Sequence, residues 1–304
     1  MDNIIILYEN EYLGTHTGLE KTLLKTLEKS ENRGYHNIQI FLGSNLTPKR
    51  RKVEEKDIKD CNKFLKKCNI NVFTHLPYVY NLAGSVKEKC YCWDDNETIN
   101  EYTTTCLESI DYELQILDKL NCNHKGCVLH IGSVGKLDKQ KGLLKVAESI
   151  NKLNLDKLTN GSKLILETMV GAGGVLGTSF KELKIVYDNV VNKDKIGFCI
   201  DTCHIFAEGN YELSKIDMIN KMFDDFEKEF GMEKLSLIHL NDSKCECKSK
   251  KDRHEKIGFG CIFKEKEVAF HMLKKIEELK IPSVCETVEE DYDNIQILYQ
   301  IMKK

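Results

Sequence analysis

Short apolar runs alternate along this chain with longer segments in which apolar residues recur every three or four positions. The short runs are continuous, which is typical of strands buried on both faces of a parallel sheet. We predict strands over residues 38–42, 72–75, 127–130, 164–167, 197–201, 235–239 and 283–286, with an earlier strand within 4–14. The intervening segments predict helices.

Two helical segments show the helix period clearly. Their apolar positions are Leu107, Ile110, Leu114 and Leu117 in one segment, and Ile219, Met222, Phe223 and Phe226 in the other. Residues 179–182 predict a capping box at a helix start, and Gly231 predicts a helix end. Eight strands with helices between them favour a single-domain (β/α)8 TIM barrel over residues 1–304. An open doubly wound sheet is the alternative, but it would bring fewer strand ends to one point.

The composition adds few restrictions. With 304 residues, 41% of them hydrophobic, the chain can bury a large core, and its three prolines mark no linker. No apolar run approaches the roughly 18–20 residues that span a bilayer, and the first residues lack a secretion signal. The thirteen cysteines are odd in number and scattered, which favours reduced thiols in an intracellular compartment, whether cytoplasm, nucleus or virion. Neither C-x-C pair, Cys90/Cys92 or Cys245/Cys247, is a strong indication of zinc.

The net charge of −3 does not by itself indicate a nucleic-acid binder. Basic runs at residues 49–52 and 248–251 are, taken alone, best interpreted as solvated loops.

Residues able to bind metal ions close or follow at least six of the predicted strands. The set is His75, His130, Glu167, Asp201, His204, His239, Asp252, His254 and Glu286. One histidine after a strand is more often an ordinary core or loop residue. Nine ionisable groups converging at the strand ends of a barrel, however, would carry a large desolvation cost unless cations neutralised them. Imidazoles and carboxylates suit zinc, manganese or iron. Nine ligands exceed what one tetrahedral ion needs and fit two or three ions, with one carboxylate bridging.

Three motifs carry a family resemblance. Residues 75–83 read HLPYVYNLA, residues 196–204 read IGFCIDTCH, and residues 239–244 read HLNDSK, followed by DRH at 252–254. In these motifs the chain resembles endonuclease IV, the zinc-dependent apurinic/apyrimidinic (AP) endonuclease family. The resemblance runs from about Tyr12 to Ile301, nearly the whole chain.

The resemblance implies three zinc ions, although manganese or iron could replace one of them. It assigns His75, His130 and Glu167 to the first ion, Glu167, Asp201, His239 and Glu286 to the second, and His204, Asp252 and His254 to the third. Glu167 would bridge two ions and orient the attacking nucleophile. The implied reaction is hydrolysis 5′ to an abasic site in duplex DNA, which leaves 3′-hydroxyl and 5′-deoxyribose phosphate ends, with trimming of blocked 3′ ends. We expect a monomer with no membrane partner.

The resemblance also implies how damaged DNA is recognised. Tyr78 and Val79 occupy positions where the family inserts an aromatic and an aliphatic side chain into the bent duplex. Packing over the barrel mouth is the alternative role for Tyr78. Leu46 stands where the family often has an arginine, so Arg50 or Arg51 could serve instead. Residues 245–249 replace a stretch in which glycine is usual, so we expect a different loop over the third ligand group.

Two other classes of function are compatible with parts of the pattern. A metal-dependent sugar isomerase or epimerase on a related barrel would use one or two ions and about four ligands, with an acid/base residue. A non-catalytic DNA-binding or zinc-storage protein is the third hypothesis. The group His204, Asp252 and His254 would have no role in a sugar enzyme, which favours the nuclease.

Overall fold

The computed structural model describes residues 11–84, 101–171, 173–287, 298 and 301. Eight parallel strands form one sheet in chain order: β1 (Gly14–His16), β2 (Asn37–Ile40), β3 (Asn71–His75), β4 (Lys125–Leu129), β5 (Lys163–Glu167), β6 (Ile196–Asp201), β7 (Leu235–His239) and β10 (Ser283–Val284). The first and last strands meet at Thr15 and Cys285, where the amide of His16 donates to the carbonyl of Cys285. The sheet therefore closes into the predicted barrel, and the open-sheet alternative is wrong.

At least one helix connects each pair of consecutive barrel strands in the described ranges. The helices are α1 (Leu23–Asn32), α2 (Glu55–Leu65), α3 (Glu101–Asp118), α4 (Lys139–Ile150), α5 (Phe180–Asn189), α6 (Thr202–Glu208), α7 (Ile216–Phe230) and α8 (Lys266–Leu279). Short 3-10 turns at Leu155–Lys157, Lys193–Lys195 and Met232–Lys234 lead into β5, β6 and β7. None of the described helices is long and apolar enough to cross a membrane.

The predicted helix signals lie where expected, with one difference. The apolar face of α7 is buried, and Gly231 ends that helix with a φ of 83°. Ser179 caps α5 by accepting a hydrogen bond from the amide of Glu182 at 3.3 Å. The Glu182 carboxylate does not complete the capping box, because it accepts from the amides of Gly177 and Thr178 instead. It thereby fixes the loop that enters the helix.

Several predicted bounds differ from the observed ones at the strand ends. The strand predicted over 127–130 ends at Leu129, and the one predicted over 283–286 ends at Val284. The first strand begins at Gly14, and residues 4–10 of its prediction lie outside the described residues, as do Cys90 and Cys92. A separate two-stranded antiparallel hairpin, β8 (Asp242–Ser243) with β9 (His254–Glu255), projects between β7 and α8.

The barrel interior explains why the candidate ligands converge. One apolar cluster, separate from the main core, consists of Phe73, Val128, Ile165, Cys199, Leu237 and Val284. Each of these residues precedes one of the nine candidate ligands by two positions, and side chains two apart along a strand face the same side. The apolar layer therefore fills the barrel, and six candidate ligands form the next layer toward the carboxyl ends of the strands.

Candidate metal centre

The nine candidate ligands lie in three groups at the carboxyl ends of the strands. The groups are His75, His130 and Glu167; Glu167, Asp201, His239 and Glu286; and His204, Asp252 and His254. Within each group the possible ligand atoms lie within 4.8 Å of one another. The structure therefore brings together all nine residues, in the same three sets that the resemblance implied.

The first group faces one oxygen of Glu167. Oε2 of this carboxylate lies 3.3 Å from Nε2 of His75 and 3.0 Å from Nε2 of His130. Nδ1 of His75 donates a hydrogen bond to the carbonyl of Leu76 at 2.6 Å. A proton held on Nδ1 leaves the lone pair of Nε2 available within the group, as in metal-binding histidines.

The second group faces the other oxygen of Glu167. Oε1 lies 3.1 Å from Nδ1 of His239, and Oε2 of Glu286 lies 3.0 Å from the same nitrogen. Nε2 of His239 donates to Oε1 of Gln39 at 2.8 Å, so here Nδ1 carries the available lone pair. Glu167 thus presents one oxygen to each of two groups, which is the arrangement a bridging carboxylate requires.

Two amide side chains hold the second group in place, and sequence reasoning assigned neither a role. Gln39 also donates from Nε2 to Oε1 of Glu286 at 2.6 Å. Asn241 donates to Oδ2 of Asp201 at 2.7 Å and accepts from the backbone amide of Glu286 at 2.8 Å. Gln39 is a polar residue at the end of an apolar strand and Asn241 lies inside the third motif, so both carried a weak sequence signal.

The third group lies outside the ring of strand ends. Asp252 places Oδ2 3.2 Å from Nε2 of His204 and Oδ1 3.2 Å from Nε2 of His254. Nδ1 of His204 donates to the carbonyl of Thr168 at 2.8 Å. Asp201 caps α6, because its Oδ1 accepts from the amide of His204 at 2.8 Å. The start of one helix therefore positions ligands of the second and third groups together.

The geometry of these atoms fits metal ions better than hydrogen bonds. Buried Oε2 of Glu167, Nε2 of His204 and Nε2 of His254 have no hydrogen-bond partner among the described residues, although other candidate ligand atoms lie 3.0–3.6 Å away. Ligand atoms bound 2.0–2.1 Å from a tetrahedral zinc ion lie about 3.3 Å from one another. The spacing and the imidazole–carboxylate chemistry therefore fit zinc, and also manganese or iron.

Burial and neighbouring charges shift the pKa values of the candidate ligands in opposite directions. Burial alone would raise the pKa of the Glu167 carboxyl, but the facing imidazoles of His239 and His130 lower this pKa well below its usual range. Burial raises the pKa of Asp201 despite the imidazoles of His204 and His254. Burial lowers the pKa of His130 below its usual range, although the Glu167 carboxylate opposes this. Buried carboxylates of this number are stable only with neighbouring cations.

One thiol lies close to the centre. Cys203 forms a further compact group with Asp201 and His254. Burial raises the pKa of this thiol to about 12, so it stays protonated near neutral pH. Its neighbours Asp201 and His254 already belong to the second and third groups, so Cys203 adds a thiol beside these groups and forms no separate site.

Asp242, in the third motif, has a structural role. Its buried carboxylate accepts hydrogen bonds from the backbone amides of Gly258, Gly260 and Ile262 at 2.8–3.0 Å. These bonds fix the turn that follows β9, and Asp242 belongs to none of the compact ligand groups.

A cavity of about 800 Å³ opens over the ligand groups. Tyr78 borders it, with its ring centroid 5.1 Å from that of His75 and 5.4 Å from that of His130. The Tyr78 residue is nevertheless 48% exposed, and the neighbouring Val79 is 38% exposed. Packing over the mouth and exposure toward a ligand thus coexist at Tyr78. Four cations also line the cavity: Lys244, Lys250, Arg253 and Lys256.

The loop after β2 differs from what its arginines suggested. Leu46 is 65% exposed at this loop, and the carbonyl of Asn45 accepts from the amide of Tyr78 at 3.1 Å. Arg50 is buried and pairs with the buried Glu113 at 3.0 Å. Its guanidinium also donates to carbonyls of its own loop, at residues 44, 47 and 48. This network removes Arg50 from the candidates for a DNA contact.

We expect Arg50→Met to lower the free energy of unfolding by about 2 kcal/mol, because it leaves a buried acceptor without its partner. Burial already raises the pKa of Glu113 to about 6, so protonation of this carboxyl limits the loss. Urea unfolding measures the change, and faster amide exchange over residues 43–50 is expected with it. Arg51→Met is the matched control, since Arg51 is exposed; equal losses in both variants would contradict the prediction.

This chain is similar in sequence to a known family and to named relatives over most of its length. The family described as xylose isomerase-like TIM barrels matches residues 27–298. A protein named probable endonuclease 4, from Aster yellows witches'-broom phytoplasma, is 30% identical over 285 residues, which cover 91% of this chain and 89% of that protein.

Solved structures share the fold. The crystal structure of endonuclease IV from Thermus thermophilus superposes with a TM-score of 0.76 at 18% identity, covering 96% of this chain and 99% of the other. A D-tagatose 3-epimerase-like protein superposes with a TM-score of 0.67 at 18% identity, covering 96% and 97%. At this identity the structures establish the barrel alone, which a sugar epimerase-like protein also has.

Proposed function

The chain belongs to the endonuclease IV family, and from this premise we propose that it is a DNA-repair hydrolase that cleaves the phosphodiester 5′ to an abasic site in duplex DNA. The observation that carries the proposal is the third ligand group, His204, Asp252 and His254, beside the two groups that share Glu167. A sugar enzyme on the same barrel needs no such third group.

The proposed site holds three zinc ions in the three ligand groups, and manganese or iron could replace one. When bound, such ions make a water molecule acidic enough to attack at neutral pH and neutralise charge that develops on phosphoryl oxygens. Glu167, with one oxygen in each of two groups, would hold an ion in both of them, and its carboxylate would orient the attacking water. Gln39 and Asn241 keep Glu286 and Asp201 in place through the amide bonds described above.

The exposed apolar side chains at the mouth support the proposed substrate. An abasic nucleotide has lost its stacking, so flipping it out of the duplex costs less than flipping a normal nucleotide. Tyr78 lines the cavity and is followed by the exposed Val79, and the amide of Tyr78 donates to the carbonyl of Asn45, next to the exposed Leu46. We propose that Tyr78 and Val79 enter the gap left in the duplex, while Lys244, Arg253 and Lys256, which also line the cavity, face phosphates.

Two measurements on the purified protein test the function. The first is the number of metal ions per chain, and the second is incision of a duplex with one abasic analogue, beside the same duplex without damage. About three ions and a cut 5′ to the lesion are expected. One ion per chain, no incision, and conversion of a ketose or aldose would establish the sugar-enzyme alternative instead.

Tyr78→Ala is expected to weaken binding to the damaged duplex by about 1–3 kcal/mol, the range for an aromatic ring that stacks on a base. Fluorescence anisotropy at fixed salt, in the presence of a non-cleavable abasic analogue, measures the affinity. Tyr78→Phe keeps the ring and serves as the control. If Tyr78→Ala binds the damaged duplex as tightly as Tyr78→Phe does, the aromatic ring makes no contribution to recognition of the abasic site.

The proposal also covers a second activity, the oligomeric state and the cellular compartment. We propose that the same site trims blocked 3′ ends, which a nicked duplex with a 3′-phosphate tests directly. We also propose a monomer that works as a single domain in a reducing compartment. The eleven cysteines within the described residues form no disulfide with one another, which supports that compartment.

A further inference from the structure

The hairpin between β7 and α8, defined as residues 242–255, is docked on the end of α6. The amide of Lys250 donates to the carbonyl of Ala207 at 2.9 Å, and the amide of Lys248 donates to that of Phe206 at 3.3 Å. These carbonyls belong to the last turn of α6, where the usual intrahelical donors run out. The Phe206 carbonyl also accepts from the amide of Gly209 at 2.9 Å, so the hairpin adds a second, longer bond there and a direct backbone bond to Ala207.

A single carboxylate joins the hairpin to two other elements. Oε2 of Glu208 accepts from the amide of Gly171 in the loop after β5 at 2.6 Å. Oε1 of Glu208 accepts from Nζ of Lys250, which also donates to the Glu208 carbonyl at 3.0 Å. The Glu208 side chain is 12% exposed and the Lys250 side chain 47% exposed, so the ion pair is half open to solvent and its carboxylate end is the more shielded one. The pair Glu208–Lys250 is called the latch below.

The backbone around the latch leaves the hairpin little freedom to dock elsewhere. Lys248 and Lys250 adopt left-handed φ angles of 66° and 58°, which non-glycine residues take up only where other contacts hold them. Gly209 ends α6, and a Cβ at this position would lie 2.2 Å from Cγ of Lys248. The hairpin thus packs directly against the helix end with no side chain between them.

This docking determines the geometry of one ligand group. His204 belongs to α6, whereas Asp252 and His254 belong to the hairpin. The Asp252 side chain is 46% exposed, so burial does not hold it, yet both its oxygens lie 3.2 Å from the two imidazoles. The other two groups consist of residues at or beside barrel strand ends, and the latch touches none of them.

We propose that Glu208 and Lys250 are positioning residues that assemble the third ligand group and set its affinity for a metal ion. The inference rests on the proposed function, because it requires that His204, Asp252 and His254 bind an ion. Without the latch, the hairpin lifts from α6, and Asp252 and His254 move away from His204. The third ion is then lost while the ions of the first and second groups remain.

A different role for Lys250 would give different results. Lys250 lines the cavity, so it could instead contact a DNA phosphate directly. In that case its loss would weaken DNA binding and reduce the salt dependence without changing the metal content. The two roles are separable because Glu208 pairs with Lys250 and with the amide of Gly171, and is not among the residues that line the cavity, so its loss would matter only for the latch.

The test measures zinc ions bound per chain by equilibrium dialysis against a series of zinc buffers, without DNA. Lys250→Met and Glu208→Gln are each expected to weaken the binding of one of the three zinc ions about tenfold or more. Loss of a residue that supports a metal ligand lowers metal affinity by this amount in other proteins. The double variant Glu208→Lys/Lys250→Glu rebuilds the ion pair and is expected to recover part of this affinity. Lys251→Met, an exposed cation on the same hairpin, is the control and should bind zinc as the parent does.

Amide exchange over residues 244–253 and circular dichroism accompany these titrations, so that local release of the hairpin is distinguished from unfolding. Three equally tight ions in Lys250→Met and Glu208→Gln would overturn the inference and leave the proposed function intact. Weaker DNA binding in Lys250→Met alone, with unchanged zinc content, would also overturn it in favour of a phosphate contact. A parent protein that binds fewer than three ions would remove the trinuclear proposal and the inference with it.

Discussion

Glu167→Gln is expected to reduce the rate of incision of an abasic duplex by about 10²–10³-fold, the loss typical when one preorganised electrostatic group is removed. The Glu167 carboxylate has one oxygen directed at His75 and His130 and the other directed at His239. An amide keeps only one oxygen acceptor, and its NH₂ group would face imidazole lone pairs or the ion they hold. Two ligand groups are therefore damaged by a change that barely alters volume.

Single-turnover cleavage with saturating enzyme measures this loss apart from DNA binding. Metal content per chain should fall by at least one ion, and thermal unfolding should remain cooperative. Glu182→Gln, at the start of α5 and away from the ligand groups, is the matched control and should cleave at the parental rate. Full activity in Glu167→Gln would refute the bridging role.

Removal of the metal ions is expected to abolish incision and to lower the melting temperature by more than about 10 °C. Each kcal/mol lost from the free energy of unfolding lowers the melting temperature of a domain of this size by about 2 °C. A ligand that binds only the folded state at 100 times its Kd contributes about 2.7 kcal/mol, so three independent sites together contribute about 8 kcal/mol. The loss is large here because the buried carboxylates of Glu167, Asp201 and Glu286 would then repel one another without bound cations.

Calorimetry before and after dialysis against a chelator measures this change. Added zinc should restore both the melting temperature and incision, whereas magnesium should not, because magnesium prefers oxygen ligands and binds imidazole poorly. The Tyr78→Ala variant is a useful comparison, since its melting temperature should respond to chelation as the parent's does. A melting temperature that chelation leaves unchanged would contradict a centre of buried metal ligands.

The sequence predicted the barrel and the candidate ligands because both depend on short-range order. Phe73 and His75, or Leu237 and His239, are two residues apart, so strand geometry alone directs them to the same side. The closure of the sheet at Thr15 and Cys285 could only be inferred indirectly, from the number of strand units. Register between the first and last strands of the chain is not written in any local pattern.

The partners of the candidate ligands were much less predictable. Gln39 contacts both His239 and Glu286, which lie 200 and 247 positions away along the chain. Arg50 looked like a solvated loop residue available to DNA, but Glu113 on α3 holds it in a buried pair. Such pairings arise when helices and loops pack around the barrel, and single residues of these types occur in many other settings.

The same division applies to the three ligand groups. The apolar run before each ligand is a local pattern, so the sequence was sufficient to predict parallel strands that end in imidazoles and carboxylates on one face of a barrel. Tertiary structure alone decided that Glu167 divides its two oxygens between groups, that Arg50 is buried, and that Glu208 and Lys250 join α6 to the hairpin. The spacing of apolar residues involves only neighbours in sequence. Hydrogen-bond and ion-pair partners, by contrast, are distant in sequence, and only the closed barrel brings them within about 3 Å of one another.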